Sequence, residues 1–566
     1  MAADQPGGRA ALWREVTPPI SIEGLADALP ATTLELSHAW LSRVTAVRRN
    51  RQVLQSTGEL DGLSPAAAAS RGAALAGVLR IPVIPVRYAD VEPPFPTSRL
   101  DRRLFGRSVA DTVSYADYWR EVSGGLLRVE GEVTPWVELT GTAAHYLPAE
   151  RYGWAQFGRI DELRSEALVR ADSLIDFGGF DNDGPDGVPN SGDDDGFVDF
   201  VAFVYALPCP GDARTGAIWP HRAAMQPLAM SDSSVNGGPI KIADYVILPA
   251  VDLETCGPMH IGLLAHETGH ALGLPDLYDY DGSSHGIGDW GLMGTGSHGS
   301  LFSPAHLSAW EKEQLGWVRV TWLRDDTAAL RIAPVERDRT VYRYDVGDGS
   351  GRYLLLENRQ RIGSDSELPG HGLLAWQVDP VRGELGIWNR DEFRTAVGIA
   401  QSVGLGRPAG RGRADPRDPL PGVSSRDSFR WTVDRDFTMT AIAEAGDIVR
   451  ADIALLSTPP ALVARPSAVH LTAIAGGLPA RQALTVEQQA ATRTFTTEKS
   501  SGWLSVGESG DVIMLTADPA KLPPGEYRDT LRLVDGSGNN ATRVPVSLQV
   551  VAEGVANIIA TDLPWG

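Results

Sequence analysis

His266, Glu267 and His270 are the residues whose types and spacing point most directly to chemistry. They form an H-E-x-x-H pattern at the end of HIGLLAHETGH (260–270), an apolar run with helical spacing. Two histidines about one helical turn apart share a face, so both can reach a single zinc at the roughly 2.0–2.1 Å of a Zn–N bond. Glu267 then sits beside the metal without binding it. In such a site the zinc lowers the pKa of its water and the glutamate takes the proton. The hydroxide attacks a carbonyl whose developing oxyanion the metal stabilises, and the same glutamate returns the proton to the leaving amine. Gly273 lets the helix end in a left-handed turn and sends the chain back toward the metal, which delivers Asp276. A carboxylate is an acceptable zinc donor, so Asp276 is read as the third ligand, with His285 and His298 as rivals.

A second constellation lies in DFGGFDNDGPDGVPNSGDDDGFVDF, where Asp181, Asp183, Asp186, Asp193, Asp194, Asp195 and Asp199 crowd together. Such carboxylates repel one another unless a counter-charge neutralises them. Acids alternating with glycine turns offer oxygens at the spacing of calcium loops. Asp181, Asp183, Asp193, Asp195 and Asp199 are the candidate Ca2+ ligands, although the acid that closes an EF-hand loop is missing.

These residues need elements to hold them. VLRIPVIPV (78–86) has strand character and begins the catalytic domain; Val113–Gly125 and Ile160–Ile175 read as helices, and GFVDFVAFVYAL as a buried strand. Before them, residues 1–75 hold one helix-like stretch, Thr33–Leu54, and no constellation for chemistry. They read as a leader or pro-segment that covers the cleft until removed. Beyond Trp317 the segments TVYRYDV, RYLLLENRQ, GLLAWQVD and DFTMTAIAEAG alternate as strands do, and GRPAGRGRADPRDPLPG (406–422) reads as an extended loop. After a linker, LSTPPALVARP, short strands recur at regular spacing from 458 to 553 and suit an immunoglobulin-like sandwich, with Trp503 in its core. The fold class expected is α+β, with a leader over 1–75, a metallopeptidase domain over 76–319, a β-rich accessory domain over 320–455 and the sandwich over 458–553.

Composition bounds what else the chain can be. At 566 residues, 43% hydrophobic and 22% charged, it is long enough for several cores. Against 51 basic residues stand 72 acidic ones, a net charge of −21 that repels nucleic acid and anionic membranes. No run approaches the roughly 18 apolar residues of a membrane helix. The opening MAADQPGGRAALWREVTPPI lacks the basic and apolar regions of a signal peptide. Cys209 and Cys256 are either one disulfide or two buried thiols, and the former is favoured.

HETGHALGLPDLYD followed by DWGLMGTGSHGS resembles the immune-inhibitor-A type of secreted bacterial metallopeptidase within the zincins. The likeness extends over PHRAAM near His221, SPAHLSAWEKEQLGW (303–317), LLLENRQ (354–360) and LPGHGLLAWQVD (368–379), and so covers about 78–380. The family motif, H-E-x-x-H-x-x-G-x-x-D, matches His266, Glu267, His270, Gly273 and Asp276 position by position. The resemblance implies zinc held by His266, His270 and Asp276, Glu267 as general base, and a Met-turn methionine, Met293, beneath the ligands. It also implies structural calcium, extracellular location and protein or peptide substrates. SGWLSV (501–506) and LPPGEY (522–527) resemble the BACON-type domains of secreted bacterial enzymes, a candidate surface for carbohydrate contact. The alternative is a non-catalytic binding or adhesion protein on a protease scaffold. Intact His266, Glu267, His270 and Asp276 argue against it, since a mere scaffold has no chemical need for Glu267.

Overall fold

The computed structural model describes residues 39–108, 113–147, 159–207, 218, 220–252, 256–279, 284–298, 303–346, 350–384, 388–389, 395–400, 415–433, 435–455, 462–466, 469–488, 495–510, 512–535 and 541–551. Cys209, most of the 406–422 loop and the first part of the 33–54 stretch lie outside them. Cys256 is disulfide-bonded.

Helix α1 (Ala39–Ser56) comes first and is followed by β1 (Gly77–Arg87), an almost wholly apolar strand buried on both faces. Helix α2 (Tyr115–Ser123) starts where the Ser114 side chain accepts from the Asp117 N–H and stops at Gly124, left-handed at φ 72°. Strands β2 (Leu127–Val133), β3 (Val201–Tyr205), β4 (His221–Ser233) and β5 (Pro239–Pro249) complete the first sheet with β1, and helix α3 (Ile160–Ala171) precedes β3. The order is β2-β1-β3-β5-β4, with the short strand Val137–Glu138 also on β1. All pairs are parallel except β5 with β4, so the sheet ends in one antiparallel edge strand. Among the described residues β4 has no further strand beyond it. Of GFVDFVAFVYAL only Val201–Tyr205 becomes strand; the aspartates before it are occupied in a loop.

Helix α4 (Ile261–Ala271) carries the H-E-x-x-H residues and packs against β4 and β5. Helix α5 (Ala309–Leu315) opens on a capping box: Ser308 accepts from Glu311 N, and the Glu311 carboxylate accepts from Ser308 N. It leads into β6 (Arg319–Trp322), β7 (Thr327–Ile332), β8 (Thr340–Asp345), β9 (Tyr353–Arg359), β10 (Gly372–Val378) and β11 (Val397–Ile399). A five-stranded sheet runs β11-β10-β9-β8-β6.

That sheet has two buried faces, because side chains alternate along a strand. Tyr353, Leu355, Leu374, Trp376 and Val378 point into the core that holds α1, α4 and the first sheet. Leu354, Leu356, Leu373 and Ala375 point into a second core, closed by a sheet built from Phe429–Val433, Arg435–Ala445, Ile448–Leu455 and β7. The expected boundary near 320 therefore falls inside a continuous apolar core rather than at a linker. The boundary near 75 does likewise: Trp40, Val44, Val47 and Leu60 belong to the same core.

The C-terminal segment forms two four-stranded sheets around a third core. One runs Leu462–Arg465, Ala480–Gln488, Val512–Ala517, Leu504–Ser509; the other runs Val469–Ile474, Ala541–Val551, Gly525–Asp535, Phe495–Glu498. Trp503 packs, half-buried, on that core. The chain is thus a mixture of helix and sheet, and among the described residues no helix is long and apolar enough to cross a membrane.

Candidate metal centre

Helix α4 is apolar on almost every side and buries His266 and Glu267 to 7% exposure each. It ends where Gly273 takes φ +70°, with the Gly273 N–H donating to His270 O and the Leu274 N–H to Gly269 O. The reversal brings Asp276 back over the helix. Asp276 Oδ1 lies 2.9 Å from His266 Nε2 and 3.2 Å from His270 Nε2. Three ligand atoms, one from each residue, fall within 4.8 Å of one another. Tetrahedral ligands at about 2.05 Å from a zinc stand roughly 3.3 Å apart, close to the two separations that Asp276 Oδ1 makes with the histidines.

The other ring nitrogens are already engaged: His266 Nδ1 lies 3.0 Å from Leu292 O and His270 Nδ1 2.8 Å from Leu274 O. Each backbone carbonyl accepts from an Nδ1–H, which leaves Nε2 as the donor lone pair on the Asp276 side. Burial would lower both imidazoles, but the hydrogen bond and charge of Asp276 outweigh it, so His266 is pushed up to about 9 and His270 also rises. Burial would raise the Asp276 carboxyl, yet the two histidines hold it well below the usual carboxylate range. The carboxylate and the imidazoles thus favour one another's charged forms, and a divalent cation would compete with protons for the same nitrogens. The Glu267 side chain makes no hydrogen bond among the described residues. Tyr278 stacks on His266 at 6.1 Å between centroids.

Met293 is fully buried under α4. A Cβ at Gly269 would lie 2.4 Å from Met293 Sδ, so the x-x glycine of the motif is the space the methionine occupies. The rival His285 is exposed and outside the donor group; His298 closes a short 3-10 turn, and its side chain lies outside the described residues.

The aspartate loop assembles differently from its sequence spacing. Asp181, Asp183 and Asp194 bring oxygens within 4.8 Å of one another. Asp193 faces solvent and accepts from the Asp186 N–H instead. Neighbouring acids in a turn point in opposite directions, and spacing alone does not say which one turns inward. Asp195 stands beside the group, its Oδ1 accepting from the Phe197 N–H at 2.8 Å. Asp199 is buried and accepts from Trp40 Nε1 at 2.7 Å. Burial, then the charges of Asp195, Asp194 and Asp183, push Asp181 up to about 8; burial and Asp195 push Asp183 up to about 6. Asp181 Oδ1 and Asn182 Oδ1 are buried with no hydrogen-bond partner among the described residues. Orphaned buried oxygens beside mutually repelling carboxylates fit a hard cation.

Sequence reasoning missed the carbonyls of Leu292 and Leu274, because backbone groups leave no mark in residue types. It also missed Arg48, whose Nη2 donates to Gly273 O at 3.0 Å and ties α1 to the metal motif's turn.

The H-E-x-x-H residues thus lie on a helix packed against a mostly parallel sheet with an antiparallel edge. Residues 101–320 match the family model described as immune inhibitor A peptidase M6, catalytic domain. Immune inhibitor A of Bacillus thuringiensis subsp. alesti is 33% identical over 202 residues, which are 32% of this chain and 28% of that protein. Pre-pro-metalloprotease PrtV of Vibrio cholerae serotype O1 (strain M66-2) is 28% identical over 242 residues, 38% of this chain and 25% of that protein. The match thus spans about a quarter of the length of these curated relatives. Among solved structures the M1 domain from titin aligns over 17% of this chain and 97% of its own, at 14% identity and a TM-score of 0.12, too low to bear on the fold.

Proposed function

We propose that this chain is a zinc-dependent endopeptidase acting on extracellular proteins, with His266, His270 and Asp276 as zinc ligands and Glu267 as general base. The observation that carries this is the convergence of His266 Nε2, His270 Nε2 and Asp276 Oδ1 while both Nδ1 atoms are spent on backbone carbonyls. When bound, zinc supplies a Lewis acid that acidifies water and polarises a carbonyl. The Glu267 side chain, free of hydrogen-bond partners among the described residues, accepts the proton of the attacking water and passes it to the leaving amine. Among the described residues β4 is the edge strand of the first sheet, and an extended peptide substrate would add alongside it. The test is cleavage of a generic unfolded protein, lost on adding a chelator and restored by Zn2+; binding of zinc without any cleavage would sink the proposal.

Asp276→Ala is expected to weaken zinc binding by more than the roughly 10–100-fold typical of lost outer-shell partners. Competition with a chromogenic chelator measures it, and an unchanged affinity would remove Asp276 from the ligand set.

The same proposal assigns Ca2+ to Asp181, Asp183 and Asp194, with Asp195 and Asp199 beside them. A cation there offsets the burial and the mutual repulsion that hold the carboxyls up. At a hundredfold excess over its Kd, Ca2+ is expected to stabilise the chain by about 2.7 kcal/mol. The melting temperature with and without Ca2+ checks this, and Asp181→Ala should abolish the difference; a melt indifferent to Ca2+ in the unmodified chain speaks against the site. The disulfide-bonded Cys256 supports an oxidising, extracellular setting. The two C-terminal sheets fit an immunoglobulin-like sandwich appended to the enzyme.

A further inference from the structure

The turn Trp290–Met293 serves two of the three donors. Its Leu292 O accepts from His266 Nδ1, and its Met293 O accepts from the Leu277 N–H at 2.8 Å, one residue beyond Asp276. Two buried charged side chains grip this turn from behind. Glu311 Oε1 accepts from the Met293 N–H at 3.0 Å while its other oxygen closes the capping box on Ser308 N. Arg359 Nη1 donates to Trp290 O at 2.9 Å. Arg359 is itself fixed by a two-pronged contact with Asp365, Nη2 to Oδ1 at 2.7 Å and Nε to Oδ2 at 2.8 Å. Glu311, Arg359 and Asp365 are all at 0% exposure.

Buried ions are expensive to desolvate, and an apolar replacement of similar volume is often no less stable. What an apolar side chain lacks is a directed grip on one N–H and one C=O of a particular turn. There is also no slack: a Cβ at Gly291 would lie 2.9 Å from Glu311 Oε2 and 2.5 Å from Ile287 Cδ1.

We propose that Glu311 and Arg359 are positioning residues of the metal centre, holding the turn 290–293 so that its carbonyls orient His266 and anchor the segment that carries Asp276. The inference rests on reading His266, His270 and Asp276 as the metal ligands. It also makes the β-rich region a part of the centre, because Arg359 is the last residue of β9, beyond the matched segment 101–320.

The test uses the full chain with Glu311→Gln and Arg359→Lys. Gln keeps the shape but presents an NH2 where one of two backbone N–H groups needs an acceptor; Lys keeps the charge but loses the planar fork. Arg343→Lys is the control, a buried arginine whose carboxylate partners are Glu313 and Asp345. Two readouts separate positioning from plain stability: Zn2+ affinity by chelator competition, and the d–d absorption of the Co2+-loaded protein. Glu311→Gln and Arg359→Lys are expected to weaken Zn2+ binding about 10–100-fold and to shift the Co2+ bands. Arg343→Lys is expected to lower the melting temperature and change neither. If both variants keep the affinity and bands of the unmodified chain, the proposal is overturned whatever their melting temperatures; where one fails to fold, the other decides. If the unmodified chain binds neither metal, the reading of the ligands fails first and this inference falls with it.

Discussion

Glu267→Gln is expected to leave zinc binding unchanged and to reduce peptide hydrolysis by about 10²–10⁴-fold. The side chain belongs to no donor pair, whereas His266 and His270, one residue before and three after, both contact Asp276. Glutamine keeps the volume in a helix that is tightly packed at this point, with Met293 pressed against Gly269. Only the capacity to accept a proton is lost. Turnover of a fluorescent casein and bound zinc per chain, measured on the same samples, decide it. Full activity in the variant would mean that another group takes the proton; loss of zinc along with activity would mean that Glu267 holds the site together instead.

A chain beginning at residue 76 is expected not to fold. The leader reading of residues 1–75 expects removal to uncover the cleft, but the described part of that segment is built into the catalytic core. Trp40, Val44 and Val47 line one face of α1 at 3%, 0% and 6% exposure. At roughly 1.5–3 kcal/mol for each large apolar side chain buried, their loss is comparable to the roughly 5–15 kcal/mol by which a domain is stable at all. The helix is also bonded at both ends of the site, through Trp40 Nε1 to Asp199 and through Arg48 to Gly273 O, and the loop after it is held by Gly62 N on Val320 O. Circular dichroism melts of the full chain and of residues 76–566 measure the effect. A shortened chain that melts cooperatively and gains activity would restore α1 to the role of a removable cover.

The grouping of His266, His270 and Asp276 was legible because it follows from residue types at helical spacing, and the reversal at Gly273 from a left-handed conformation that glycine adopts readily. Helix α2 was legible for a similar reason, with Ser114 at one end and Gly124 at the other. Three things were not. Period-2 alternation announces strands but not partners, so the segments after Trp317 read as a module of their own, while the structure shares β9 and β10 between two cores. A run such as Asp193-Asp194-Asp195 has no period that says which carboxylate turns inward. The task of Glu311 on the Met293 N–H leaves no mark in the sequence, because it needs a contact eighteen residues away.

The five-stranded sheet limits how this protein can be inherited. Its strands present Leu355 and Trp376 to one core and Leu354 and Leu373 to another, so the segment that carries the motif has no seam at residue 320 where a gene could be cut and rejoined. A recombination that exchanged everything after β6 would bare an apolar wall and take away Arg359 together with it. Lineages that shuffle such proteins are therefore expected to swap tails beyond about residue 455, where the second core ends, and to pass on what precedes that point as one block.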